Sequence, residues 1–355
     1  MKVVKFQDEE KYIKDFLKLP KLLYRHGDNT EDAKETRNIL LGNHPLSGDF
    51  SLHKYLVYDQ GKPVARFVIT LYPKDSTAYF GFFECIDDND AAKAAFDAAE
   101  VFAAAHNCKR IVGPVDASFW IKYRLKINKF DSEPYTGEPY NKDYYQRLFE
   151  ANGYKICDHY TSNQYKPAHY KYMNKEYLGK YQEFMKKGYE IRDLDPDYFT
   201  ESLSELYELI VVLYSDFPIF KKPSKEAFMS VFDNYRKIID PKMVKLGYKD
   251  DKMVGFFVSI PNYHNDVYNI TPAKLFRILK TRKKPTEYIM LYIGVDQAHH
   301  GLGRALVYSV IQELNQNKCP SIGALMHDGK VTQSYAKDMI DQVYEYALFK
   351  KEIKW

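Results

Sequence analysis

One strand, turn and helix near the end of the chain limits the fold more than any other feature. Residues 288–295 (YIMLYIGV) are apolar or aromatic almost throughout, which predicts a buried β-strand. Gly301 and Gly303 follow, and after them apolar side chains recur at helical spacing, at Val307, Val310, Ile311 and Leu314. A buried strand therefore leads into a helix through a turn that carries two glycines.

This turn has the chemistry of an anion site. Because Gly301 and Gly303 lack a β-carbon, the backbone can turn tightly and approach a ligand closely. A helix that begins near Leu302 directs its unpaired N–H groups and the positive end of its dipole to the same place. Such a helix N-terminus can hold a phosphate or a diphosphate.

The spacing of these residues separates several nucleotide-binding folds. The stretch has no Gly-Lys-Ser/Thr, which excludes a P-loop, and it lacks the acidic residue that follows a dinucleotide fingerprint. Residues 298–306 (AHHGLGRAL) resemble instead the signature of acyl-CoA N-acyltransferases of the GNAT superfamily, Arg/Gln-x-x-Gly-x-Gly/Ala, followed here by Arg-Ala-Leu. The likeness departs at Ala298, which takes the Arg/Gln place, while Gln297 stands one residue early.

Length, charge and cysteine content limit the class of protein. The 355 residues allow two ordinary domains, and 45% hydrophobic residues can supply a core for each. A formal charge of +4 does not point to nucleic acid, and the four scattered cysteines suggest neither a zinc site nor a disulfide framework. With no signal peptide and no apolar run of membrane-spanning length, we expect a cytoplasmic protein without a membrane span.

The first half of the chain carries a similar plan in an altered form. Residues 1–50 predict helices and loops, and strands and helices then alternate over 55–160 in the order of an acetyltransferase domain. At the strand-to-helix turn, residues 86–90 (IDDND) place carboxylates where the second half has glycines, and these would repel a phosphate. We therefore interpret residues 1–165 as a degenerate GNAT-like domain that does not bind the diphosphate of CoA.

A linker and a second copy of the plan complete the chain. Residues 166–188 predict a linker helix, and residues 189–355 repeat the order of the first half with an offset of roughly 190 residues. We therefore expect an α/β (α+β) protein of two tandem acyl-CoA N-acyltransferase-like domains, each with a mixed central sheet flanked by helices. In the second domain, residues 321–326 predict the fifth strand, and a helix over 331–339 is expected after it. The chain is also similar to uncharacterised bacterial proteins of the tandem type, through residues 261–264 (PNYH) and the basic helix after them.

The resemblance to GNAT enzymes implies a set of site residues within 189–355. The co-substrate would be acetyl-CoA or another acyl-CoA, and no metal is expected. The turn and the strand before it would hold the diphosphate and the pantetheine, through Ile293, Val295, His299, His300, Gly301, Leu302, Gly303 and Arg304. Two side chains are predicted to be catalytic: Glu287 as the base that takes a proton from the amine, and Tyr335 as the acid near the leaving thiolate.

Several of these residues also have a structural interpretation. In a chain with 32 tyrosines Tyr335 can be a packing residue, and Glu287 can be a charge at a strand end. His299 and His300 suggest a metal at first sight, but adjacent side chains diverge, and no carboxylate or cysteine completes a ligand set. A basic amphipathic helix over 272–284 is compatible with a membrane or RNA surface, but we favour a helix packed over the sheet with a solvated polar face.

Two functions remain open from the sequence. The first is an N-acyltransferase that moves an acetyl or other acyl group to a small-molecule or peptide amine in an aromatic-lined cleft, with nucleic acid not expected as a partner. The second is a sensor or regulatory protein that binds acyl-CoA without turnover, which the altered Ala298 allows. Tandem acyltransferase folds that use aminoacyl-tRNA lack the glycine turn, so its presence argues against that class.

Overall fold

The computed structural model describes residues 1–25, 27–167 and 174–354. The helices, in chain order, are α1 (Glu10–Leu23), α2 (Ala33–Leu40), α3 (Asn89–Ala105), α4 (Tyr145–Ala151), α5 (Lys175–Lys186), α6 (Phe199–Leu213), α7 (Lys225–Phe232), α8 (Pro272–Lys283) and α9 (Leu302–Asn317). The strands are β1 (Lys2–Phe6), β2 (Ser51–Asp59), β3 (Lys62–Leu71), β4 (Thr77–Cys85), β5 (Arg110–Gly113), β6 (Val115–Asp116), β7 (Lys122–Tyr123), β8 (Leu125–Lys126), β9 (Lys155–Tyr165), β10 (Tyr189–Asp193), β11 (Val244–Lys249), β12 (Lys252–Pro261), β13 (Tyr288–Val295), β14 (Ser321–His327) and β15 (Ile340–Glu352). Within these described ranges no helix is both long and apolar enough to cross a bilayer.

The chain forms two compact units that interleave in sequence. Unit 1 lies within residues 1–160, 267–270 and 345–355, and unit 2 lies within residues 161–266 and 271–344. The domain boundaries at 165 and 189 stay a prediction, because compactness alone does not establish which segments fold as independent domains.

In unit 1, four antiparallel strands, β1 to β4, lie side by side in sequence order. The next strand, β5, pairs with β4 in parallel, and α3 makes the connection between them. Small residues at Ala91, Ala95 and Ala99 bring α3 close to the sheet, where Phe80 and Phe96 stack with their ring centroids 5.0 Å apart. The alanine-rich pattern is thus the reason why this helix packs closely against aromatic strands.

Unit 2 repeats this order. Its strands β10 to β13 are antiparallel neighbours in sequence order, and β14 pairs with β13 in parallel through the connection α9. The periodic apolar side chains that predict α9 are buried against the sheet, namely Val307, Val310, Ile311 and Leu314. The prediction of an α/β protein with a mixed sheet flanked by helices is confirmed.

Two segments differ from the prediction. The first strand, β1, was not expected, because KVVKF is short and alternates too briefly to be separated from a loop. The helix expected over 331–339 is wrong: Val331–Ser334 and Lys337–Met339 form short 3₁₀ turns, and Ala336 between them has a φ of 47°. Tertiary hydrogen bonds override helix propensity there, since the Tyr177 hydroxyl accepts the Ala336 amide and the Gln333 side chain donates to Thr161.

Candidate functional site

The strands β13 and β14 separate after a short paired stretch. β13 follows β12 along its whole length, but it pairs with β14 only over Tyr288, Ile289 and Met290 within the described chain. A register shift in the β12–β13 ladder lies at the point where they part, since Val258 faces Tyr292 while Ser259 faces Met290. Beyond Met290, β13 is therefore splayed from β14.

A cleft of about 780 Å³, counting the space open to solvent, lies at this separation. Its walls are almost entirely apolar and come from β13, β14, α9 and the segment after β14, including Met290, Ile293, Val307, Ile311, Leu314 and Met339. Such a cleft suits a long, mostly apolar group that enters between two strands.

The ladder register determines which backbone groups of β13 face the cleft side. The Asp296 amide donates to the Val254 carbonyl, 2.9 Å apart, so Asp296 and Gly294 face β12. Ile293 and Val295 alternate with them, and their N–H and C=O groups point away from β12. From the described part of the chain, the Ile293 carbonyl accepts only a long contact of 3.5 Å, from the Tyr214 hydroxyl.

The N-terminus of α9 carries unpaired amides. Gly301 has a φ of 99°, a left-handed conformation that favours glycine, and no side chain caps the helix. The amides of His300, Gly301, Leu302 and Gly303 have no acceptor anywhere in the described ranges. The cradle, as we call residues 300–303, therefore directs N–H groups and the positive end of the helix dipole outward.

The residues on either side of the cradle are already engaged. The His299 amide donates to Asp296, and its ring nitrogen Nδ1 lies 2.7 Å from the Tyr189 hydroxyl. The Arg304 amide donates to the Gly301 carbonyl, and its guanidinium Nε lies 2.7 Å from Glu176 on α5. His299 and Arg304 therefore shape the turn, while residues 300–303 offer the open amides.

Tyr335 lies beside the cradle. Its hydroxyl oxygen is 3.1 Å from the place where a β-carbon on Gly303 would stand. This hydroxyl makes no hydrogen bond within the described residues, and burial raises the pKa of Tyr335 above its ordinary value. A phenol in this position is protonated at neutral pH and can donate a hydrogen bond to a ligand.

Glu287 is not brought together with the cradle. It immediately precedes β13, at the end opposite Val295, and its carboxylate accepts from the side-chain amides of Asn262 at 2.6 Å and Gln164 at 3.2 Å. At roughly 3.3 Å per residue, Glu287 is more than 20 Å along the strand from Val295. Its hydrogen bonds indicate a structural role, in which Glu287 holds the start of β13 to the segments that carry Asn262 and Gln164.

The helix α5, predicted only as a linker, packs against α9. Its Tyr177 and Phe184 are buried with Leu302, Ala305 and Leu306 of α9. Two charged side chains of α5 lie near the cradle, because Glu176 pairs with Arg304 and the Lys180 Cδ is 4.0 Å from the point of a β-carbon on Gly301. The sequence signal for this packing was the apolar spacing of Tyr177, Tyr181 and Phe184, which marks one side of α5.

An aromatic group lies on the α6–α7 face of the same sheet. Tyr214 stacks on Phe217 with centroids 4.8 Å apart, Phe217 meets His327 at 6.0 Å, and Phe232 of α7 meets Tyr292 of β13 at 6.3 Å. Tyr292 therefore points to α7, while its neighbour Ile293 packs with the α9 side. The splayed strand has aromatic side chains on one face and the α9 cluster on the other.

Unit 1 contains the same junction in a closed form. Among the described residues its β4 pairs with β5 only over Thr77, Ala78 and Tyr79, but β6 follows and lies against the next part of β4. The Asp116 carboxylate of β6 accepts the Phe82 amide, and a β-carbon on Gly81 would fall 1.8 Å from the Val115 carbonyl oxygen. The chain itself therefore takes the backbone groups that are open in unit 2.

The helix N-terminus of unit 1 is also closed. The Asp88 side chain caps α3 by accepting from the amides of Asp90 and Ala91, at 2.7 and 3.0 Å. A carboxylate thus occupies the place that an anion would need, whereas Gly301 leaves α9 open.

Solved structures match this chain, whereas family models and curated proteins do not. No protein-family model matches the chain, and no curated protein matches it. A tandem GNAT protein from the clavulanic acid biosynthesis pathway is similar over 100% of this chain and 99% of its own, with a TM-score of 0.56 and 11% identity.

Two further solved structures are similar at the same level. One is a GCN5-related N-acetyltransferase from Anabaena variabilis, with a TM-score of 0.52 and 8% identity over 99% of this chain and 73% of that one. The other is from Kribbella flavida, with a TM-score of 0.51 and 9% identity over 99% and 70%. At such identities the likeness concerns the fold, and the chain has the tandem fold of the GCN5-related N-acetyltransferases.

Proposed function

We propose that the protein is an acyl-CoA N-acyltransferase and that unit 2 binds acetyl-CoA or another acyl-CoA. The observation that carries this proposal is the coexistence, on one strand–turn–helix unit, of an apolar cleft along β13 and the body of α9 and of an uncapped N-terminus of α9, with Tyr335 bordering both. A CoA thioester has both matching parts, an anionic diphosphate and a long arm with apolar segments.

The cradle is proposed to hold the diphosphate. The open amides of His300, Gly301, Leu302 and Gly303 would donate to its oxygens, and the helix dipole would add to the attraction. Arg304 would contribute part of its charge, since Glu176 shares it. His299 would support the turn through its bonds to Asp296 and Tyr189.

The separated strand is proposed to hold the pantetheine arm. Ile293 and Val295 have N–H and C=O groups that point away from β12, as an added strand would require. A backbone N–H of this strand would also stabilise the oxyanion that forms when the amine attacks, an effect worth about 3 kcal/mol per donor.

The reaction forms a C–N bond and breaks the C–S bond of the thioester. The amine loses a proton to water in the cleft, and the leaving thiolate takes up a proton from that water, so that the products are an amide and the free thiol of CoA. We propose Tyr335 as a donor to bound acyl-CoA, because its protonated hydroxyl has no partner in the described chain and lies beside Gly303. Its contact with the cradle favours the diphosphate end over the sulfur as the acceptor of this hydrogen bond.

The amine proton is proposed to leave through water in the cleft. Glu287 would have to give up hydrogen bonds to Asn262 and Gln164 before it could act as a base. The acceptor is proposed to be a small amine or a peptide end that enters on the α6–α7 face, where Tyr214, Phe217 and Tyr292 offer aromatic surface.

The second candidate function is an acyl-CoA sensor without turnover, and the engaged carboxylate of Glu287 favours it. A thiol-release assay with acetyl-CoA and a panel of amines separates the two functions. Free thiol that appears only with a particular amine supports the transferase. CoA binding without thiol release for any amine of the panel would establish the sensor instead.

A further inference from the structure

The helix α8 exposes its apolar side chains to solvent. Leu275, Phe276 and Leu279 are 49%, 70% and 55% exposed, and Ile278 is the buried residue of the helix. Leu275 and Leu279 are one turn apart and Phe276 adjoins them, so the three form a continuous stripe. We expected the apolar residues of this helix to pack over the sheet, but only Ile278 is buried and the other three are exposed.

The same helix is strongly cationic. Between Asp266 and Glu287 the sequence contains no acidic residue, and the helix and the residue after it carry six cations, at Lys274, Arg277, Lys280, Arg282, Lys283 and Lys284. Arg277 pairs with Asp266, and Lys274 donates to the Asn265 carbonyl. The other four make no ion pair within the described residues, so their charge is available to an external partner.

Cations border the apolar stripe. On a helix of 3.6 residues per turn, Lys283 follows Phe276 by two turns and Leu279 by one, and Lys280 lies one turn after Phe276. Lys283 therefore lies on the face of the stripe, beyond its C-terminal end, and Lys280 lies at its edge. Their long side chains can bend back to the level of the headgroups while the apolar groups enter the lipid. This pattern is typical of a helix that lies in the plane of a membrane interface, with its apolar face buried roughly 5–10 Å into the boundary between headgroups and acyl chains.

We propose that α8 docks the protein onto a bilayer surface rich in anionic phospholipid. Leu275, Phe276 and Leu279 would enter the boundary between headgroups and acyl chains, and Lys280, Arg282, Lys283 and Lys284 would bind the lipid phosphates. Nucleic acid would match the cations but would leave two leucines in water, because its recognition uses charge and aromatic stacking. The combination of aliphatic stripe and cationic border is what fits a lipid surface.

Vesicle sedimentation tests this proposal. We expect the full-length protein to pellet with vesicles of equal parts phosphatidylglycerol and phosphatidylcholine, to stay in solution with phosphatidylcholine alone, and to be released by high salt. Phe276→Ser with Leu279→Ser should lower the partition coefficient by about tenfold or more, and Lys280→Gln with Lys283→Gln should lower it by a similar factor.

Val101 supplies the matched control, since it is 72% exposed on α3 and follows an acidic residue, Glu100. Val101→Ser should leave the partition unchanged. A Phe276→Trp variant should shift its fluorescence to the blue with anionic vesicles, whereas Val101→Trp should not.

Three outcomes would overturn the proposal. The first is equal sedimentation of wild type and the Phe276→Ser, Leu279→Ser variant. The second is a lack of binding to anionic vesicles together with binding to poly(U) that depends on the lysines alone, which would make the helix a nucleic-acid surface. The third is a dimer in the absence of lipid that Phe276→Ser converts to monomer, which would mean that a second copy covers the stripe.

Discussion

The hydroxyl oxygen of Tyr335 lies 3.1 Å from the point that a β-carbon on Gly303 would occupy. The two residues come from different segments, the first turn of α9 and the loop after β14, and both border the open amides of the cradle. Glycine at 303 therefore leaves room at the same time for the phenol and for a ligand at the helix N-terminus.

This contact predicts energetic coupling between the two residues. Gly303→Ala alone should force the hydroxyl to move by a few tenths of an ångström and should weaken CoA binding. In a Tyr335→Phe background the same alanine should be tolerated better, with a coupling of about 1 kcal/mol in the free energy of unfolding. Urea unfolding of the four proteins measures the coupling, and additive effects would contradict it.

Glu176 is predicted to restrain the cradle electrostatically. Glu176→Gln frees Arg304 from its ion pair, so CoA should bind about twofold to fivefold more tightly at low salt, with the gain lost at high salt. Glu208→Gln on α6 is the matched control, because Glu208 pairs with Lys225 instead. Calorimetric titration at two salt concentrations checks this, and equal gains for both variants would show that Arg304 is not involved.

Asp88 is predicted to stabilise unit 1 and to have no part in CoA binding. Asp88→Ala removes the cap of α3 and should cost about 1 kcal/mol of stability. Asp97→Ala, which breaks only an exposed pair with Lys93, should cost less than about 0.5 kcal/mol. Chemical unfolding measures both losses of stability. If Asp88→Ala also lost CoA affinity, the conclusion that this helix has no part in CoA binding would be wrong.

Glu84 is predicted to make stability depend on pH. Burial raises its pKa from an ordinary 4.5 to about 7, although Arg66 and the Tyr145 hydroxyl oppose the shift. The folded protein then binds the proton more tightly than the unfolded chain, so this contribution is present at low pH and is lost as pH rises through about 7. The free energy of unfolding of the wild type, minus that of Glu84→Gln, should therefore decrease from pH 5 to pH 8 when both are measured by urea unfolding. An increase of this difference over the same range would contradict the prediction.

The sequence predicts the junction of unit 2 well, because its signals are local. Eight apolar residues, two glycines and the spacing from Val307 to Leu314 suffice for β13, the turn and α9. The partial pairing of β13 with β14 could not be predicted from these signals, since nothing in the strand itself marks where its partner departs.

Long-range contacts limit what could be predicted for the rest. The closed junction of unit 1 depends on Asp116 accepting the Phe82 amide across 34 residues, and the loop at Tyr335 depends on Tyr177 accepting the Ala336 amide across 159 residues. Neither pairing leaves a periodic pattern. The ion pair of Arg304 with Glu176 could not be predicted from the sequence either. A single glutamate on an amphipathic helix has the sequence pattern of a solvated surface charge.

Calorimetric titration of CoA into the wild type and Gly303→Glu tests the central claim most directly. The account predicts one CoA per chain for the wild type and an affinity lowered by about a hundredfold or more in the variant, because a carboxylate would occupy the cradle. Circular dichroism of the variant serves to confirm that it is folded. An unchanged affinity in a folded Gly303→Glu variant would contradict the placement of the acyl-CoA site at the α9 N-terminus, and two CoA molecules per chain would contradict the closed junction of unit 1.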